Sequence, residues 1–218
     1  MTGEKVKLHG AQETLLVTLC AKAGESELSD SLLKDRFAAR ALARIDYDFG
    51  RLKIDRDMMI GIALRAHVID GWTRDFLNRV PEATVLHLGC GLDSRVFRVA
   101  PQPGVRWFDV DYPDVIALRQ HLYPSRDGCV LVPSSVTEPR WLDAVPQDRP
   151  AFVIAEGLLP YLPAEEVVLL LERLMGHLPG GELAFDAYSR LGLMLIAWQP
   201  SIRATDATLH WSLDDPED

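Results

Sequence analysis

Apolar positions change their period several times along this chain. Leu15, Leu16, Leu19 and Ala23 recur at helical spacing, which predicts a first helix over Ala11 to Ala23 with Lys22 at its end, just before Gly24. Ser26 to Arg44 reads as one further helix or two, and Ile45-Asp-Tyr-Asp-Phe-Gly50 breaks the pattern. A long helix is expected from an N-cap at Asp57 to Val80, with Ile62, Ala66, Ile69, Thr73, Phe76 and Val80 on one face. Short apolar runs then predict strands at Val85 to Leu88, Val105 to Val110, Cys129 to Val132, Ala151 to Ala155 and Glu182 to Tyr188. Helices are expected between them. The last is amphipathic and opened by Pro163, with Ala164, Val167, Val168, Leu171, Leu174, Met175 and Leu178 on one face. Alternating strands and helices predict an α/β fold with a mostly parallel, doubly wound sheet behind an N-terminal helical extension. Leu191 to Trp198 reads as one more helix, Thr208 to Trp211 as a short strand, and residues 1–10 and Asp214 to Asp218 as loose ends.

The first apolar run stops at Gly89-Cys-Gly91, and Leu92 to Ala100 resumes as a mixed apolar and basic segment. Strand, tight glycine turn and helix start is a ligand-binding arrangement, because free helix N–H groups and close backbone approach are available there. Asp111 follows Gly91 by 20 residues at the end of the next strand run, a placement suited to accepting hydrogen bonds from ribose hydroxyls. A nucleoside-containing cofactor is therefore the first expectation.

The chain has 218 residues, 48% of them hydrophobic and 25% charged, which suits a folded globular protein. We expect residues 1–80 to form the helical extension and 81–218 the α/β core of one unit. The net charge of −9 and the lack of a basic cluster argue against a nucleic-acid surface. Cys20, Cys90 and Cys129 form no C-x-x-C pair, so a zinc knuckle is disfavoured and a reducing compartment expected. No 18-residue apolar run or signal-peptide pattern is visible. A soluble, cytoplasmic protein is the expectation.

Two cofactor classes compete for the glycine turn. Dinucleotide sites use G-x-G-x-x-G, but here the third glycine position is Ser94. No tyrosine has a lysine four residues on, as a short-chain dehydrogenase would require. S-adenosylmethionine needs a glycine turn, an acid for the ribose and polar groups for a zwitterion, and is favoured. Taken alone, several of these residues have plainer readings: Lys22 as a helix C-terminal cation, Arg65 as a surface residue bordering its helix's apolar stripe, Asp93 as a helix-start acid. His67 and His87 read as structural.

Leu88-Gly-Cys-Gly-Leu-Asp-Ser-Arg95, Trp107-Phe-Asp-Val-Asp-Tyr-Pro113 and Ala155-Glu-Gly-Leu-Leu-Pro-Tyr-Leu162 resemble the three signature blocks of the leucine carboxyl methyltransferase family. Thr14-Leu-Leu-Val17, Ile45-Asp-Tyr-Asp-Phe49 and Arg65-Ala-His-Val-Ile-Asp70 are similar to its bacterial branch linked to polyketide carboxyl O-methylation. The resemblance extends from Gln12 to Pro216 and implies a Rossmann-like class I methyltransferase fold that uses S-adenosylmethionine. It implies that Lys22 and Arg65 clamp the carboxylate of the cofactor's methionine part, and that Glu156 receives its ammonium. Gly89, Cys90, Gly91 and Asp93 would line the turn. Asp111, with Tyr112 beside it, would bind the ribose, and Ser135 and Val136 would lie near the adenine. Tyr161 would face the methyl acceptor.

The implied acceptor is a small-molecule carboxylic acid, with no nucleic-acid or membrane partner. A carboxylate is already ionised at pH 7, since its ordinary pKa lies near about 4, so the transfer needs alignment and water exclusion rather than a base. The family's sheet usually continues with further C-terminal strands, whereas this sequence stops soon after Trp211-Ser-Leu-Asp-Asp-Pro216. Missing strands and an uncovered sheet edge are therefore expected, with either pairing into a homodimer or poor stability as the consequence. The alternative to an active enzyme is a truncated cofactor-binding protein without methyl-transfer activity.

Overall fold

The computed structural model describes residues 4–5, 10–205 and 207–215. Its elements in order are β1 (Glu4–Lys5), α1 (Thr14–Ser26), α2 (Arg36–Leu42), β2 (Ile45–Asp46), α3 (Arg56–Arg79), β3 (Thr84–Leu88), α4 (Arg95–Val99), β4 (Arg106–Asp111), α5 (Pro113–Leu122), β5 (Cys129–Pro133), β6 (Ala151–Ala155), α6 (Ala164–His177), β7 (Gly181–Phe185), α7 (Arg190–Ala197) and α8 (Pro200–Arg203). β1 and β2 form a small parallel pair. The main sheet has five parallel strands in the order β5-β4-β3-β6-β7. The order reverses between β3 and β6, and a crevice outside the strand C-termini opens there, as in Rossmann-like doubly wound sheets.

Every residue of β3 and β6 is buried, as expected of strands covered on both faces. One face packs Val85, Trp107, Phe152 and Ile154 against Ile69, Phe76 and Leu77 of α3. The other packs Leu86, Leu88, Phe108, Val110 and Val153 against Val167, Leu170 and Leu174 of α6. Each such side chain, fully buried, contributes on the order of 1.5–3 kcal/mol. A third cluster joins α1, α2 and α5 through Leu16, Leu19, Ala38, Ala41, Val115 and Leu118, and reaches Leu92 behind the glycine turn. The helical extension is thereby seated over the strand ends where the turn lies.

Several expectations are corrected. The N-cap of α3 is Asp55, whose carboxylate accepts the Met58 N–H at 2.9 Å. Asp57 falls inside the first turn, where an acid still complements the helix dipole. Ser26 to Arg44 yields one helix, α2, preceded by a loop. The inward face of α6 is Val167, Leu170 and Leu174, while Val168 and Met175 are exposed. β7 ends at Phe185, leaving Asp186 and Tyr188 beyond the strand. No strand forms over 208–211. Instead the His210 and Trp211 N–H groups both donate to the Pro160 carbonyl, at 2.7 and 3.3 Å. Within the expected tail, Asp214 holds the Arg190 backbone and guanidinium; residues 216–218 lie outside the described residues, as do 1–3 and 6–9. Among the described residues, no helix is long and apolar enough to cross a membrane.

Candidate functional site

The site begins where β3 ends. Gly89 (φ 59°) and Gly91 (φ 48°) take left-handed conformations that favour glycine. A Cβ on Gly89 would sit 2.9 Å from Leu158 Cδ1, so the turn also allows a close approach of the loop after β6. The Cys90 N–H donates to the Val110 carbonyl at 3.2 Å, and the Gly91 N–H donates to Asp111 Oδ2 at 2.7 Å. Asp111 thus joins the end of β4 to the turn. Its other oxygen accepts the Tyr112 N–H. Burial pushes the Asp111 carboxyl above its ordinary pKa, and these two N–H groups counter it only in part. From beneath, Arg119 donates to the carbonyls of Gly91 and Asp93 at 3.2 and 2.6 Å and to Asp109. His87 lies in the same buried network against Asp109 Oδ1 at 3.1 Å and also lines the cavity described below.

Beside the turn lies a lattice of buried charges. The Lys22 ammonium is 2.8 Å from Asp93 and 3.4 Å from Glu156. α1 continues to Ser26, so Lys22 points into the site from within the helix rather than capping its end. Asp93 caps nothing either. It meets Arg98 at 2.6 Å and Arg95 at 3.5 Å in addition to Lys22. Glu156, just past β6, accepts from Lys22 and Arg65 on Oε1 and from Arg95 on Oε2. Burial alone would raise the Glu156 and Asp93 carboxyls, but the surrounding cations hold both well below the usual carboxylate range. Arg65 leaves α3 at the border of its stripe and bridges Glu156 at 3.2 Å and Asp186 at 2.7 Å.

These residues enclose a cavity of about 140 Å³, lined by Lys22, Arg65, Gly89, Cys90, Gly91, Asp93, Asp111, Tyr112, Glu156 and Tyr161. Ten of the expected site residues thus come together. Ser135 and Val136 do not line it. The Ser135 hydroxyl is 2.9 Å from that of Thr137, and the Val136 side chain packs in the core. The volume is small beside the roughly 300 Å³ at which drug-sized ligand sites begin, and the Lys22–Glu156 and Arg65–Glu156 pairs draw its walls together. The donor set fits the expected cofactor. Two cations face one carboxylate, as a zwitterion requires, and Asp111 lines the same cavity beside Gly91, where a ribose could meet it.

A second cavity of about 560 Å³ adjoins the first. Arg65, Thr14, Thr18, Gly157 and Tyr161 line both. The larger one has a mixed wall: Val17, Met58, Ile62, Pro160, Ile196 and Leu209 alongside Lys53, Asp55, Asp57 and Gln199, with Asp186 and Tyr188 beside Arg65. The Tyr161 hydroxyl bonds Thr14, and burial raises its pKa. Sequence reading did not single out Arg95, Arg98, Asp70 or Asp35 as site residues, yet they buttress Asp93 and Glu156: Arg95 pairs with Asp70 at 2.6 Å, and Arg98 with Asp70 and Asp35 at 2.8 Å each. The one available signal was the run of basic residues behind the glycine turn. Asp186 and Tyr188 were also missed, hidden in what read as the end of a strand.

Comparison with known proteins identifies the family. The family model described as leucine carboxyl methyltransferase matches residues 15–175. The tetracenomycin polyketide synthesis O-methyltransferase TcmP of Streptomyces glaucescens is 46% identical over 215 residues, covering 98% of this chain and 79% of that protein. The S-adenosyl-L-methionine-dependent methyltransferase dpfgK of Gibberella zeae is 38% identical over 235 residues, with the same two coverages, 98% and 79%. A glycine turn tied to Asp111, a charge cluster suited to a zwitterion and these matches lead to one conclusion: this chain belongs to the leucine carboxyl methyltransferase family and is an S-adenosylmethionine-dependent methyltransferase.

Proposed function

We propose that this enzyme transfers the methyl group to the carboxylate of a small, largely apolar acid of polyketide type, bound in the larger cavity. The observation that carries this reading is the shared wall. Arg65 and Tyr161 line both cavities, so an anion in the larger chamber would meet a cation and a hydroxyl beside the cofactor. The relative's name, polyketide synthesis O-methyltransferase, supports the acceptor class.

When bound, S-adenosylmethionine supplies a methyl group on a cationic sulfur. The chain's own residues do the rest. Lys22 and Arg65 hold the methionine carboxylate through charge-assisted hydrogen bonds, and Glu156 takes the ammonium. The zwitterion would thus exchange partners with the Lys22–Glu156 and Arg65–Glu156 pairs, so no buried charge is left unpaired. Asp111 accepts from the ribose hydroxyls while keeping the glycine turn in place, with Tyr112 at the rim. Tyr161 and the apolar wall strip water from the acceptor carboxylate and aim its oxygen at the methyl, and no proton need be removed. On this reading residues 1–80 cover the ligand and 81–218 form the core beneath it. Two copies pair along the edge strand β7, where Leu183 and Phe185 are exposed.

Methyl transfer from labelled S-adenosylmethionine to aromatic carboxylic acids and to matching phenols tests the reaction. Labelled product is expected from the acids and should release labelled methanol in alkali, as esters do. Alkali-stable product from the phenols alone would overturn the carboxylate assignment.

A further inference from the structure

Asp186 and Tyr188 line the larger cavity but not the smaller one, whereas Arg65 lines both. Asp186 Oδ2 accepts from Arg65 Nη1 at 2.7 Å. Arg65 Nη1 also donates to the Tyr188 hydroxyl at 3.2 Å, and that hydroxyl donates on to Asp186 at 3.4 Å. Asp186 Oδ1 accepts the Gly157 N–H at 2.5 Å, so the same carboxylate anchors the residue that follows Glu156. The Arg65 guanidinium is therefore gripped at two places, through Nη1 by Asp186 and Tyr188 and through Nε by Glu156 at 3.2 Å.

This grip has a chemical consequence. A free arginine side chain loses much rotamer entropy when it binds a ligand, and one already held in place has less to lose. When an ammonium engages Glu156, the Nε side of the guanidinium is released toward the cofactor cavity. Nη1 keeps its two partners. The planar fork then presents its remaining N–H groups to a carboxylate at a fixed angle.

We propose that Asp186 and Tyr188 are positioning residues for cofactor binding: from outside the cofactor cavity they aim Arg65 at the methionine carboxylate. The proposal rests on the reading above, in which Arg65 meets that carboxylate. It assigns a task to two residues just past β7 that touch no part of the cofactor.

Calorimetry with two ligands tests it without knowledge of the acceptor. S-adenosylhomocysteine carries the amino-acid end, and 5′-methylthioadenosine lacks it. Asp186→Asn, which can still accept the Gly157 N–H, is expected to weaken S-adenosylhomocysteine tenfold or more, and Tyr188→Phe about threefold. Both should bind 5′-methylthioadenosine within twofold of the unaltered protein. A merely structural role would weaken both ligands in parallel, and that result overturns the proposal, as does unchanged S-adenosylhomocysteine affinity in both variants. Arg65→Ala separates the two ideas. If it leaves S-adenosylhomocysteine binding intact, the role of Arg65 itself is wrong. If it costs tenfold while the other two variants cost nothing, only the positioning role fails. Should Asp186→Asn not fold, Tyr188→Phe, which removes a single oxygen, decides the question.

Discussion

At Glu156 three cations converge on one carboxylate: Lys22 and Arg65 on one oxygen and Arg95 on the other. So much charge in a buried place is hard to justify by packing, since replacing buried ion pairs with apolar groups is often neutral or stabilising. It is readily explained by a zwitterionic ligand. Glu156→Ala and Asp111→Ala are each expected to weaken S-adenosylmethionine binding tenfold or more, about 1.4 kcal/mol, by calorimetry. Unchanged affinity in both folded variants would remove the site assignment. Asp109 is the structural counterpart. Burial alone would raise its carboxyl, but Arg119, His87 and the Trp107 indole hold it down at about 2. A folded-state pKa below the unfolded value of about 3.9 adds stability that is complete above that value and is lost as pH falls from it through the folded one. The melting temperature should therefore fall between about pH 4 and pH 2, and Asp109→Asn should melt lower at neutral pH with a shallower decline. The placement of Asp111 and Glu156 beside the glycine turn was legible because each sits at the end of a strand run. The partners of Lys22 were not, because the nearer of the two, Asp93, lies 71 residues away in sequence.

At the level of elements, the strand cores and main helices were legible because their periods are local properties. The boundaries were less so. Asp55 and Asp57 are both good caps, and only the extended backbone at Asp55 (φ −92°, ψ 176°) lets a carboxylate reach the third helical N–H. Asp55→Ala should cost about 1 kcal/mol, seen as a drop of about 2–4 °C in melting temperature, while Asp57→Ala should cost less. A larger loss at Asp57 would reverse the assignment. α6 misled for another reason. It carries apolar residues around much of its circumference, so the sequence allows several faces. Contact with the sheet selects Val167, Leu170 and Leu174. The glycine turn admits no such freedom. Gly89→Ala adds a methyl at φ 59° and 2.9 Å from Leu158 Cδ1, and should weaken S-adenosylmethionine binding at least tenfold even where the protein still folds.

For the whole molecule, the five-stranded sheet brings together side chains from α1, α3, the glycine turn and the ends of β4, β6 and β7. Its β7 edge is incompletely covered. Leu183 and Phe185 are each 37% exposed, and Leu191, Met194 and Leu195 of α7, with Trp198 just after it, are 62–74% exposed. Apolar surface of this extent beside a strand edge favours association. Sedimentation velocity is expected to show a concentration-dependent dimer that Phe185→Lys weakens, and a monomer at every concentration would refute the pairing. The sequence by itself determined the order of strands and helices, the glycine turn, Asp111 and Glu156 at strand ends, and through them the cofactor class, because each depends on neighbours within one strand, turn or helix. Only the tertiary structure decided which charges meet. Arg65 reaches Glu156 across 91 residues and Lys22 reaches it across 134. Asp186 and Tyr188 join them because β7 pairs with β6, which sets its end beside Glu156. Such pairings follow from strand order and helix seating, which no local pattern encodes.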